Sequence, residues 1–214
     1  MNVPTQRERR KQPIRRSVTS ALELYLDDGE YVATFDSSSF GGHTTVEADI
    51  GNDGGLATYT AGNRMDDVRL IGDGYSDADI NLGKAADKAY VDDLDDVELL
   101  LGGGKNSARI GYVEGVGELT VRGGKAADDI TVYDADSLFA GLGQGFNELD
   151  IRYVYGDVTV STGKNADTVD ADYISGDAML NLRAGDNVAD LAYVGGNTTI
   201  TGFGADDDFT VADA

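Results

Sequence analysis

Apolar and polar side chains alternate along most of this chain, in short runs. Leu22, Leu24 and Leu26 alternate before Asp28-Gly29, and a second alternating run extends from Tyr31 to Phe35. The same period continues through residues 44–50 and 56–60, and again at Val158-Thr159-Val160. A period of two puts successive side chains on opposite faces of an extended strand, and Gly, Asp and Asn between the runs supply turns. Leucine heptads and long amphipathic patterns are absent, so the pattern predicts an all-β chain.

The runs belong to a repeat. Tyr153-Val154-Tyr155-Gly156-Asp157 returns as Tyr173-Ile174-Ser175-Gly176-Asp177 and again as Tyr193-Val194-Gly195-Gly196-Asn197. Turn glycines fall at Gly62, Gly83, Gly104, Gly124, Gly143, Gly163, Gly185 and Gly204, with gaps of 21, 21, 20, 19, 20, 22 and 19. A fixed period near twenty decides architecture before any single motif does. Each unit offers two short strands and two turns. A parallel β-solenoid, with one unit per coil, and an antiparallel meander, with one hairpin per unit, both satisfy this pattern. The tyrosines favour the solenoid. Tyr112, Tyr133, Tyr153, Tyr173 and Tyr193 recur at 21, 20, 20 and 20 residues. In a solenoid equivalent residues stack about 4.8 Å apart, which rewards likeness at each level. The expected architecture is a parallel β-solenoid of about nine coils over residues 18–214, preceded by an arm at 1–17.

Composition agrees. Glycine accounts for 29 residues and proline for only 2, which suits many tight turns, and cysteine is absent, which removes disulfides and thiolate metal sites. No apolar run is long enough to span a membrane, and no apolar stretch after the basic N-terminus reads as a signal peptide. Charge is uneven. Arg7, Arg9, Arg10, Lys11, Arg15 and Arg16 face a single acid, Glu8, in residues 1–17, whereas the rest of the chain carries a net charge of −27. Such a body disfavours nucleic acid and anionic membrane as partners, and the arm is suited to docking on an acidic neighbour. The expected partner is a second copy, joined head to tail. Contacts of that kind make filaments unless the rotation closes.

Candidate chemistry sits in the turns. An Asp follows the turn glycine by four residues at Asp66, Asp87, Asp128, Asp167 and Asp208, while Asn147, Ala108 and Ala189 fill that place in other units. Stacked carboxylates repel unless a cation intervenes, and two cations are available. One is lysine, as Lys84/Asp87, Lys125/Asp128 and Lys164/Asp167 recur together. The other is calcium, which takes carboxylate and carbonyl oxygens. The stretch Gly202-Phe203-Gly204-Ala205-Asp206, followed by Asp-Phe-Thr-Val, is similar to RTX-type haemolysin-like calcium-binding repeats. The wider likeness is to glycine- and aspartate-rich β-solenoid repeats of bacterial surface proteins. That resemblance implies a β-roll, an extracellular or surface setting, and calcium held between turns by the five aspartates above.

The tyrosine file reads as a structural ladder of rings stacking on one another, or as a platform for a glycan. His43 is the only histidine, and it sits in the turn-like Gly41-Gly42-His43-Thr44, which reads as a surface side chain. Unit lengths vary too little to insert a loop that would build a catalytic cleft, so no enzyme is expected. The expected role is structural, a self-assembling subunit of an extracellular or cell-surface filament or layer. The alternatives are a calcium-binding adhesin-type module and a glycan-binding or glycan-cleaving β-helix.

Overall fold

The computed structural model describes residues 22–26, 32–50, 55–113, 118–202, 204 and 206–212. The basic arm, with Arg7, Arg9, Arg10, Lys11, Arg15 and Arg16, lies outside the described residues. The first strands are β1 (Leu22–Leu26), β2 (Val32–Asp36), β3 (Thr44–Asp49), β4 (Leu56–Thr60), β5 (Asp66–Ile71) and β6 (Asp77–Asn81). There follow β7 (Lys88–Asp92), β8 (Val97–Leu100), β9 (Ser107–Val113), β10 (Leu119–Arg122), β11 (Asp129–Ala135) and β12 (Leu138–Gly141). The last are β13 (Glu148–Val154), β14 (Val158–Ser161), β15 (Thr168–Ile174), β16 (Ala178–Asn181), β17 (Val188–Leu191), β18 (Thr198–Thr201) and β19 (Asp208–Val211).

The odd strands form one ten-stranded sheet in chain order, and the even strands form a second sheet of nine. Each pairing joins strand n to n+2 and is parallel, as in β13 with β15 and β14 with β16. Each coil therefore gives one strand to each sheet, and the chain is a β-solenoid of about nine turns with a period near twenty residues. The antiparallel meander is ruled out by this pairing. At about 4.8 Å per coil the rod is roughly 40 Å long.

The period-two pattern explains which side chains meet. Ile130 and Val132 of β11, Leu149 and Ile151 of β13, and Val169 and Ala171 of β15 point inward and are fully buried. They face Leu138 and Ala140, Val158 and Val160, and Ala178 and Leu180 of the second sheet, in one continuous apolar core. A third buried file, Leu94, Val113, Ala135, Val154, Ile174 and Val194, lies at or just past the ends of the odd strands. It is reached by a bend. In β9 the inward residues Ile110 and Val113 are separated by two positions instead of one, and the pairing with β11 steps from Val132↔Ile110 to Asp134↔Tyr112. Such a one-residue irregularity turns a strand. It lets each coil wrap its core with few residues, so stability comes from coil stacking on coil. Among the described residues no helix is long and apolar enough to cross a membrane.

Candidate functional site

The edge leading into the odd strands carries a continuous ladder of Asp and Asn. Each member accepts the backbone N–H of its counterpart one coil earlier. Thr44 N–H donates to Asp66 at 3.0 Å, Asp66 N–H to Asp87 at 2.7 Å, and Asp87 N–H to Asn106 at 2.9 Å. Asn106 N–H then donates to Asp128 at 3.0 Å, Asp128 N–H to Asn147 at 2.9 Å, and Asn147 N–H to Asp167 at 2.9 Å. The file ends with Asp167 N–H on Asn187 at 3.0 Å and Asn187 N–H on Asp207 at 2.7 Å. Asn106, Asn147 and Asn187 also donate their side-chain amides to the carboxylate above, at 2.9, 2.8 and 3.1 Å. Asp66, Asp87, Asp128 and Asp167 are all buried, at most 5% exposed.

This geometry revises the expected role of the aspartates. Lys84, Lys125 and Lys164 do not pair with Asp87, Asp128 and Asp167. The lysines are exposed, the carboxylates are buried in the turn, and the ion pairs among the described residues are all made by arginine. Repulsion is relieved instead by alternation. From Asp87 to Asp207 every second level is an Asn, so successive charges stand two coils apart, about 10 Å instead of 4.8 Å. Asp66 and Asp87 are the adjacent exception. Burial, reinforced by the Asp66 charge and opposed by the Asp66 N–H, pushes the Asp87 carboxyl up to about 6. Burial likewise pushes Asp128 and Asp167 up, against the hydrogen bonds they accept. Among the described residues no group of three or more His, Cys, Asp or Glu is placed to hold a metal ion.

Three of the assigned positions shift. Asn106 and Asn187 occupy the levels that counting from glycine gives to Ala108 and Ala189, and those alanines are inward core residues. Asp207, not Asp208, ends the ladder; Asp208 is the exposed first residue of β19, opposite Val188. Burial pushes the Asp207 carboxyl up, but bonds from Asn187 and the Gly204 N–H together hold it below the usual range. The turn glycine is a poor ruler because the distance from it to the ladder residue varies. A better signal was present: in every coil the ladder Asx stands two residues before the first inward apolar side chain, as in Asn147-Glu148-Leu149 and Asn187-Val188-Ala189.

A second, exposed ladder lines the edge before the even strands. There the bond runs the other way, from the later coil's N–H to the earlier coil's carboxylate. Examples are Glu118 on Asp96 at 2.7 Å, Asp177 on Asp157 at 2.8 Å, and Asn197 on Asp177 at 2.7 Å. The Gly-Asp turn of the repeat is thereby explained as a coil-to-coil staple.

The tyrosine file is also corrected at one level. Tyr112 stands opposite Asp134, Asp134 opposite Tyr153, and Tyr153 opposite Tyr173. Tyr193 stacks on Tyr173 with ring centroids 4.9 Å apart and planes at 4°, and Tyr153 tilts on Tyr173 at 6.2 Å. Tyr133 falls one residue out of the file, because the coil from Asn106 to Asp128 is 22 residues long while the two tyrosines are 21 apart. It meets the Arg109 guanidinium instead, through its hydroxyl and its ring face. His43 is exposed, and its Nδ1 lies 3.1 Å from the Met65 carbonyl oxygen. Comparison with protein-family models, curated proteins and solved structures finds no match.

Proposed function

We propose that this protein is a structural rod that assembles end to end, in an extracellular or cell-surface filament or layer. The observation that carries the reading is Phe209. Its level in the core file lies opposite Ala189, which is 1% exposed, yet Phe209 itself is 48% exposed. It is an inward-type residue on the last described strand, and it is half exposed. The backbone supports the same reading. Asp208 and Ala212 donate their N–H groups to Asn187 and Leu191, so Phe209 and Val211 turn theirs to the far side, as parallel ladders require. The outer edge of a parallel strand beside a half-exposed aromatic ring is a template for another coil. The basic residues of the arm at 1–17 supply a counter-charge for an acidic neighbour.

Negative-stain microscopy and sedimentation of the full chain test this. Elongated particles that lengthen with concentration are expected, and Phe209→Asp should reduce them to single rods, since it would bury a charge at the joint. A wild-type protein that stays a monodisperse monomer at high concentration, in low and in moderate salt, would sink the proposal.

A further inference from the structure

Four of the eleven basic side chains of residues 18–214 line one groove, and no acidic side chain lines it among the described residues. The groove encloses about 590 Å³ and follows the turns after β10, β12, β14 and β16, one level per coil. Arg122 and Lys125 stand at the first level, Gln144 at the second, Ser161 and Lys164 at the third, and Arg183 at the fourth. Arg122 is held by Glu98 at 3.6 Å and lies over the Phe139 ring. Lys125, Lys164 and Arg183 make no ion pair among the described residues. On a body of net charge −27 this is a local concentration of exposed cations, with the Asp128 and Asp167 carboxylates buried beneath the glycine backbone.

We propose that this groove binds a linear acidic polysaccharide. Its carboxylate or sulfate groups sit on Lys125, Lys164 and Arg183, and its hydroxyls on Gln144 and Ser161. The cations span three coil steps, about 15 Å, which is longer than any single small anion. The floor is bare backbone at Gly143 and Gly163, where an added Cβ would lie 2.4 and 1.7 Å from the backbone of the coil before. Glycine at both places adds no side chain to the recess between the cations. In a second copy the acidic file Asp150, Asp170 and Asp190 stands on a sheet face, on short side chains that reach less far than the charged groups of a polymer. Among the described residues no aromatic ring lines the groove, which leaves nucleic-acid bases no platform there. The site is on a different edge from the tyrosine file and is independent of end-to-end assembly.

Gly141 gives a clean test. It lies in the groove at the end of β12, and a Cβ added there meets nothing nearer than the Phe139 ring at 4.0 Å. Gly141→Phe should fill the groove without changing charge or fold. Binding of the full chain to alginate, dextran sulfate, dextran and a single-stranded oligonucleotide is measured at low ionic strength, with thermal melts to verify folding. Binding to either acidic polymer, with none to neutral dextran, is expected. Lys125→Gln/Lys164→Gln/Arg183→Gln should weaken it at least about tenfold, as the loss of three exposed charge contacts would. Gly141→Phe should weaken it as well; if that variant does not fold, the charge variant alone decides. The relative affinities for alginate and dextran sulfate tell carboxylate from sulfate. No binding to either acidic polymer, binding that survives in the folded variants, or an oligonucleotide that binds as tightly and is lost with the same substitutions would each overturn the proposal.

Discussion

Asp87 is the residue at which ladder chemistry is under most tension. Burial and the Asp66 charge raise its carboxyl from 3.8 to about 6. An acid with a raised folded value binds its proton more tightly when folded. Its contribution to stability is fully present below the unfolded value and is lost as pH rises through the folded one. The window for Asp87 is thus about 4 to 6, and at neutral pH the chain carries the full penalty. Asn occupies the same level in three other coils and can donate where a carboxylate cannot. Asp87→Asn is expected to stabilise the protein by about 1–2 kcal/mol at pH 7 and by much less at pH 4. Thermal melts of wild type and variant at the two pH values check this; an unstable variant at pH 7 would count against the assignment. The residue-scale lesson concerns rulers. The Asp file was legible as a file, but its register was not. Asp208 and Tyr133 were misplaced because turn lengths differ between coils, and a one-residue slip exchanges an inward position for an outward one.

At the scale of the coil, the turns are set by close approach of backbone to backbone. Gly163 is one such case: a Cβ there would lie 1.7 Å from the Gly143 carbonyl oxygen. No rotamer change relieves a clash with backbone, so the coils would have to part. Gly163→Ala is expected to cost about 3 kcal/mol, whereas Gly141→Ala should be close to neutral, because its Cβ comes no nearer to a neighbour than 4.0 Å, at the Phe139 ring. Denaturant unfolding of the pair measures the difference, and equal costs would contradict the packing described here. The sequence exposed these turns through the spacing of its glycines. It did not distinguish the glycine that must stay bare from the one that need not, because that depends on what the adjacent coil places opposite.

At the scale of the molecule, each coil gains its satisfaction from its neighbours. Interior coils have one on each side, and the Asp/Asn ladder ties each level from β3 to β19 to the next. The outermost described coils have one described neighbour each, and Ile200, Phe209 and Val211 there are less buried than their counterparts. Near-one-dimensional arrays of this kind open from their ends. Hydrogen exchange of single rods, such as the Phe209→Asp variant, should show the slowest amides in β9 to β15 and the fastest in β1 and β19. Uniform protection along the rod would argue against stacking as the main source of stability. In assembled wild-type protein the β19 amides should slow, which links the exchange pattern to end-to-end contact.

The sequence by itself determined the strands, the period near twenty and the stacking of like on like. These follow from alternation and from repeats, which are local properties that any coil displays alone. Tertiary structure decided which Asp is in register with which Asn, that lysine turns away from the aspartates, and that four basic residues from successive turns share a recess. Those outcomes depend on where the preceding coil has left its backbone, to within a single residue, and spacing along the chain does not carry that distance.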